Sequence, residues 1–176
     1  MAGLLTGIPR QVINSSGGVK NFFICAFSEV SATNEGTTGV AITLADGTVI
    51  DETNNPFAKY TTTKLSSGIV ATSTRDPATG QQGTEQVATM IFHKIDTAKD
   101  TEISLLKKNE LVVISQDFNG AFVAMGTVNG ADLITNAQTT GNTHADLNGY
   151  TLTIRALEPT DLLTVDSTLI SVLKAM

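Results

Sequence analysis

"QDFNGAFVAMGTVNGADLITN", Gln116 to Asn136, carries two Asn-Gly pairs with an apolar segment between them, and "ADLNGYTLTIRA" (Ala145–Ala156) carries a third. In two of the three an Asp precedes the Asn by two positions, as Asp117-Phe-Asn-Gly and Asp146-Leu-Asn-Gly. The spacing admits two readings, calcium loops or the turns of an antiparallel sheet. A calcium loop of the EF-hand type needs oxygen ligands at alternate positions, a Gly at the sixth and a bidentate Glu at the twelfth. Asp117 and Asn119 supply two oxygens before Gly120, with no acidic residue at the twelfth position, and the Asp146 segment fails in the same way. The turn reading explains more. "LVVISQ" (Leu111–Gln116) and "AFVAMGT" (Ala121–Thr127) are complementary strand sequences. Asn119-Gly120 supplies the positive φ that a tight reversal between them needs. Asn129-Gly130 is expected to turn the chain again into "ADLIT", making a meander, and Asn148-Gly149 to open a further hairpin.

Outward from this stretch the chain keeps the same character. Thr, Val and Ile are frequent, and short apolar segments alternate with turn signals. Strands are expected near Lys20–Val30, Val40–Leu44, Thr48–Ile50, Tyr60–Thr63, Ser66–Thr74, Thr84–Ile95, Leu111–Gln116, Ala121–Thr127, Ala131–Thr135 and Tyr150–Leu157. One helix interrupts them in "DTAKDTEISLLKKNE" (Asp96–Glu110), over about residues 97–109. Acidic residues lie early in it and Lys107-Lys108 late, the order that suits a helix dipole. Ala98, Ile103 and Leu106 form a stripe that can lie on a sheet as a lid. For "TVDSTLISVLKAM" the periodicity does not separate strand from helix. The expected fold is mainly β: an antiparallel sandwich or barrel with one long hairpin and one flanking helix. Residues 1–19 read as an N-terminal arm and residues 20–176 as a single β-rich domain, with Glu35–Thr38 and Asp51–Pro56 as loops.

Composition narrows the function. Charged residues make up 16% of the chain and the formal charge is -6, with Lys107-Lys108 the only adjacent basic pair, which disfavours a general nucleic-acid binder. No apolar run is long enough for a membrane span, and the opening "MAGLLTGIPRQ" does not read as a secretory signal, so a soluble protein folded inside a cell is expected. The single Cys25, within "FFICAF", reads as a core thiol. His93 in "MIFHKI" reads as a core or interface residue, and the His144/Asp146 pair lacks a third ligand. No nucleophile elbow, phosphate loop or dinucleotide fingerprint occurs. These readings leave no catalytic, cofactor-binding or metal-binding residue to assign.

The region from Ser66 to Ile95 reads as a long hairpin with "TRDPATGQQGT" (Thr74–Thr84) at its tip. Toward that tip the side chains are small or polar on both faces, and an isolated two-stranded ribbon is marginal in water. Unprotected strand edges invite pairing with another chain. Thr72, Thr74, Arg75, Gln81, Gln82 and Glu85 are therefore the expected assembly residues.

The second half of the chain combines the hairpin, the short helix, "LVVISQDFNGAFVAMGTVNGADL" and "TGNTHADLNGYTLTIRALEP". Its pattern, D-x-N-G … G-x-x-N-G … T-G … D-x-N-G-Y-x-L-x-x-x-x-x-E, resembles the tail tube proteins of long-tailed bacteriophages, in particular small virion proteins of phages infecting Bacteroidota-type hosts. "NSSGGVKNFFICAFSEV" is similar to the opening of the same group. The resemblance implies a β-sandwich with a flanking helix, assembled as six-membered rings stacked into a tube in the tail of the virion after synthesis in the host cytoplasm. It further implies that each subunit gives strands to an inner barrel through which DNA passes transiently, that other virion proteins are partners, and that the chain binds no membrane and needs no cofactor. A capsid decoration or head–tail connector protein shares this profile. A ligand-binding sandwich fits less well, because the chain has no Trp and only 2 Tyr to build an aromatic platform.

Overall fold

The computed structural model describes residues 16–34, 39–63, 66–143 and 145–176. Eleven strands and two helices follow in chain order: β1 (Val19–Ala26), β2 (Val30–Asn34), β3 (Val40–Leu44), β4 (Ala58–Thr61), β5 (Gly68–Arg75), β6 (Gln82–His93), α1 (Thr97–Leu106), β7 (Leu111–Asp117), β8 (Phe122–Met125), β9 (Ala131–Thr139), β10 (Gly149–Glu158), β11 (Leu163–Thr164) and α2 (Ser167–Ala175). Every strand pairing is antiparallel, and the mainly β expectation holds.

Nine strands form one sheet in the order β11-β8-β7-β9-β10-β6-β5, with β1 and β4 added beside β7. The sheet is held together at its middle by a single rung, Leu111↔Ala131. That rung divides it into two wings, β4-β1-β7-β8-β11 and β9-β10-β6-β5. Their side chains share one core: Phe22, Ile24 and Val113 from the first wing meet Met90, Leu152 and Ile154 from the second. Helix α1 adds Ile103 and Leu106 to this core as a lid, while Ala98, the third residue of the expected stripe, is exposed. The arrangement is sandwich-like and open, since β5 and β11 end the sheet without meeting.

A second core lies on the other face of the first wing. Phe23, Cys25, Val112 and Ile114 pack there with Val40 and Ile42 of the separate β2–β3 hairpin and with Leu169 and Leu173 of α2. Strands β1 and β7 are thus buried on both faces, which is why "FFICA" and "LVVIS" read as unbroken apolar runs instead of alternating ones. Burial also pushes the Cys25 thiol far above its ordinary range, consistent with an inert core residue.

Several expectations are corrected. The single strand Lys20–Val30 is two strands separated by a 3-10 turn, Phe27–Glu29, where Phe27 N donates to Glu110 O at 2.8 Å. Thr48–Ile50 forms no strand, only one bridge between Thr43 and Val49 after the Asp46-Gly47 turn. Helix α1 stops at Leu106 rather than Asn109, with Asp96 as N-cap accepting from Ala98 N. The described residues hold two helices where one was expected: the ambiguous C-terminal segment is α2, capped by the Asp166 carboxylate, which accepts from Thr168 N at 2.9 Å. Most of the proposed arm (residues 1–15), the Glu35–Thr38 loop and His144 lie outside the described residues.

Candidate assembly surface

The three Asn-Gly pairs do three different jobs. At Asn119-Gly120 the expected hairpin is present: β7 pairs with β8, and Gly120 has φ 87°. The Asp117 carboxylate is occupied by the turn, accepting from Asn119 N at 2.9 Å and Ala121 N at 2.7 Å. Asn119 also grips the segment before β1, its Oδ1 accepting from Ser16 N and its Nδ2 donating to Ser16 O. At Asn129-Gly130 the left-handed glycine is present, with φ 76° at Gly130, but the chain does not reverse: β8 and β9 both run antiparallel to β7, so there is no meander. β9 does not pair with β8; the segment carries the chain past β7 into the other wing. At Asn148-Gly149 there is no tight hairpin. Gly149 is the first residue of β10, paired with His93 and Thr139, and the long connection before it is closed by Asp146. The Asp146 carboxylate accepts from Asn142 N and Thr143 N at 2.8 and 2.7 Å, which lowers its pKa. Among the described residues no three His, Cys, Asp or Glu side chains gather into a metal-binding group. His93 ends β6, exposed, with its carbonyl accepting from Lys99 Nζ at 2.6 Å.

The long hairpin is β5 and β6, joined by eight rungs from Gly68↔Thr89 to Arg75↔Gln82. Its tip is a compact turn in which Asp76 accepts from Ala78 N, Thr79 Oγ1 and, through its carbonyl, Gly80 N. Thr72, Thr74, Arg75, Gln81, Gln82 and Glu85 are all exposed, as expected. They do not form one contact set. Thr72 stands opposite Glu85 and Thr74 opposite Gly83 on the outer face of the wing, whereas Arg75 and Gln82 close the ribbon beside Gln81 in the turn. Glu85 is engaged, its Oε1 2.6 Å from Arg155 Nε on β10.

The ribbon is better anchored than its small side chains suggest. On the inner face Thr84 and Gln86 are both 2% exposed. Thr84 Oγ1 and Ser73 Oγ both reach Asp161 Oδ1, and Gln86 Nε2 donates to Thr160 O while its Oε1 accepts from Gly126 N. Beside them Glu158, 3% exposed, accepts at Oε1 from Val128 N (3.1 Å) and Asn129 N (3.0 Å), and Asn129 Nδ2 donates to Leu157 O. Gln86, Asp161 and Glu158 tie the 126–130 loop and the 157–161 segment to the ribbon base. None of the three stands out in sequence, although Glu158 is the terminal E of the pattern quoted above. Glu158→Ala leaves two part-buried N–H groups of the 126–130 loop without their acceptor and is expected to cost about 1–2 kcal/mol in denaturant unfolding. A loss of a few tenths would mean that the loop does not depend on this carboxylate.

The feature that sequence reading missed is the second open edge. β5 pairs only with β6, so its other side is open among the described strands. β9 pairs along its length with β10, but toward the first wing it makes only the Leu111↔Ala131 rung. Beyond a register shift at Ile134, the stretch Thr135–Thr139 has an open edge as well. Among the described strands the second wing is therefore a four-stranded sheet with an open strand edge at each side. Comparison with protein-family models, curated proteins and solved structures finds no match to this chain.

Proposed function

We propose that the chain is a self-assembling structural subunit of the tail tube kind, closing into rings by pairing β5 of one copy with β9 of the next. The observation that carries this reading is the polarity of the two open edges. Three antiparallel steps, β5–β6, β6–β10 and β10–β9, make β5 and β9 run in opposite directions. Copies related by rotation about a ring axis then set β9 antiparallel to the neighbour's β5, and the ladder continues without a break. Each copy contributes an even number of strands, so an all-antiparallel ring closes with any number of copies. Contacts of this head-to-tail kind form rings when the rotation closes.

The β5 edge is also left unguarded. β5, "GIVATSTR", has no Pro, no Lys and no bulge, and Val70 is 62% exposed. Free-standing proteins blunt such an edge; one that pairs it has no need to. The resemblance supplies the rest of the proposal: six copies per ring, rings stacked into a tube in the virion tail, other virion proteins at its ends, and DNA passing through at ejection.

Negative-stain microscopy of the purified protein is the direct test, and tubes of uniform diameter are expected. Hydrogen exchange should show the amides of Ile69, Ala71 and Ser73, and those of the outer edge of β9, slowing together on polymerisation. Single rings that never stack would favour the connector reading, and a persistent monomer would sink both.

A further inference from the structure

Where the β5–β6 ribbon meets the end of β10, oxygens gather with no positive charge among them. The rungs Ser73↔Thr84 and Thr84↔Glu158 set these three residues in one row across β5, β6 and β10. Neighbours in such a row stand about 5 Å apart at Cβ. The segment after β10 turns back onto the same row, where Asp161 Oδ1 meets Thr84 Oγ1, at 3.1 Å, and Ser73 Oγ. Ser73 Oγ and Thr84 Oγ1 are themselves 2.9 Å apart. Three oxygens thus touch pairwise, and the two hydroxyls bring only two protons for the three contacts. Glu158 follows Thr84 in the row, and Thr160 precedes Asp161 in the chain; Glu158 Oε2 and Thr160 Oγ1 are both buried without a hydrogen-bond partner. Glu158 is 3% exposed, and its other oxygen is taken by the Val128 and Asn129 N–H groups. A buried carboxylate oxygen left bare is costly, and a counter-charge offsets that cost. No side chain supplies one: among the described residues the one ion pair joins Arg155 to Glu85, on the opposite face of the wing.

We propose that this cluster is a site for a hard divalent cation, calcium in preference to magnesium, with Asp161 and Glu158 as its charged ligands. The Ser73, Thr84 and Thr160 hydroxyls take the place of a third acidic ligand, which no described residue supplies. The donor set is all oxygen, the kind that suits calcium and magnesium and not the softer transition metals. It is drawn from three strands and an irregular segment, which fits calcium's about six to eight flexible ligands better than magnesium's strict octahedron. Two carboxylates place the dissociation constant on the order of 0.1–1 mM. The ligands come from residues 73, 84, 158, 160 and 161, so the loop spacing that excludes the Asp-x-Asn-Gly segments does not bear on them. A bound ion fastens the 157–161 segment to the ribbon from which β5 presents its open edge. The site does not rest on the tube reading.

The test uses the full chain, stripped with EDTA and dialysed against radioactive calcium. One calcium per chain is expected, and about 10 mM calcium chloride should raise the melting temperature by roughly 3–10 °C. Magnesium chloride at the same concentration should give less than about half of that shift. Asp161→Asn keeps an acceptor for Ser73 and Thr84, and Glu158→Gln keeps one for the Val128 and Asn129 N–H groups, so both variants are expected to fold. Each should weaken calcium binding at least about tenfold. Asp132→Asn, an exposed carboxylate on β9, is the control and should bind as wild type does. Should Glu158→Gln fail to fold, the exposed Asp161→Asn decides alone. A wild-type chain that takes up no stoichiometric calcium would overturn the site, as would undiminished binding by Asp161→Asn or an equal loss in Asp132→Asn.

Discussion

Gly149→Ala is expected to be among the most damaging single substitutions in this protein, costing on the order of 4 kcal/mol or more and leaving little soluble material. The reason is not the freedom of a turn glycine, which is what an Asn-Gly pair suggests. Gly149 opens β10 between His93 and Thr139, and a Cβ there would lie 2.0 Å from the carbonyl oxygen of Phe92 and 3.0 Å from His93 Cα. Both atoms belong to the backbone of the neighbouring strand, so no rotamer change relieves the overlap. The strands would have to part where Lys94 N donates to Asn148 O at 2.6 Å. Gly120→Ala is the control. Gly120 has φ 87° but nothing within 4 Å of its Cβ position, so only the left-handed backbone is penalised, at about 1 kcal/mol. Thermal and denaturant unfolding of the two variants would separate close approach from turn geometry, and equal losses would show that the β6–β10 contact is looser than described.

The contrast between these two glycines shows what the sequence could and could not tell. An Asn-Gly pair announces that glycine is needed and does not say why. Local signals found the β7–β8 hairpin, the β5–β6 ribbon and α1, because each depends on residues close in the chain: Asn119-Gly120, the Asp76–Gln81 turn and the Asp96 cap. They failed where the partner is distant. Nothing near Asn129 reveals that β9 leaves the first wing to join β10, because the bonds holding that loop come from Glu158 and Gln86. The C-terminal helix stayed ambiguous for a related reason. Leu169 and Leu173 are four apart, which suits a helix, but their burial depends on β1 and β7 far upstream. The proposed assembly surface was half legible. Composition pointed to the ribbon, while the complementary edge on β9 exists only once the strand order is known.

That strand order makes the largest functional prediction: Ala71→Pro should abolish polymerisation and leave the monomer folded. Rungs in an antiparallel pair alternate between those that exchange N–H···O bonds and those that do not. Asp76 N donates to Gln81 O at 2.9 Å, so counting back along β5 the N–H groups of Thr74, Thr72 and Val70 face β6. Those of Ser73, Ala71 and Ile69 face the open edge. The Ile91 N–H, which reaches Ser67 Oγ at 3.3 Å from the β6 side, falls in the same phase. Proline at 71 therefore removes a donor that the monomer leaves to water, and edge strands tolerate proline at such positions. Its melting temperature should stay within about 3 °C of wild type. In a ring the same substitution deletes a ladder bond and puts a pyrrolidine ring against the incoming β9, so microscopy should show no tubes. Val70→Pro, one residue away, has the opposite phase. It breaks a bond to β6 within the monomer, with an expected loss of about 3 kcal/mol and a melting temperature lowered on the order of 10 °C. If Ala71→Pro still polymerises, β5 is not the joint, and neither the β9 pairing nor the closed channel built from it can stand.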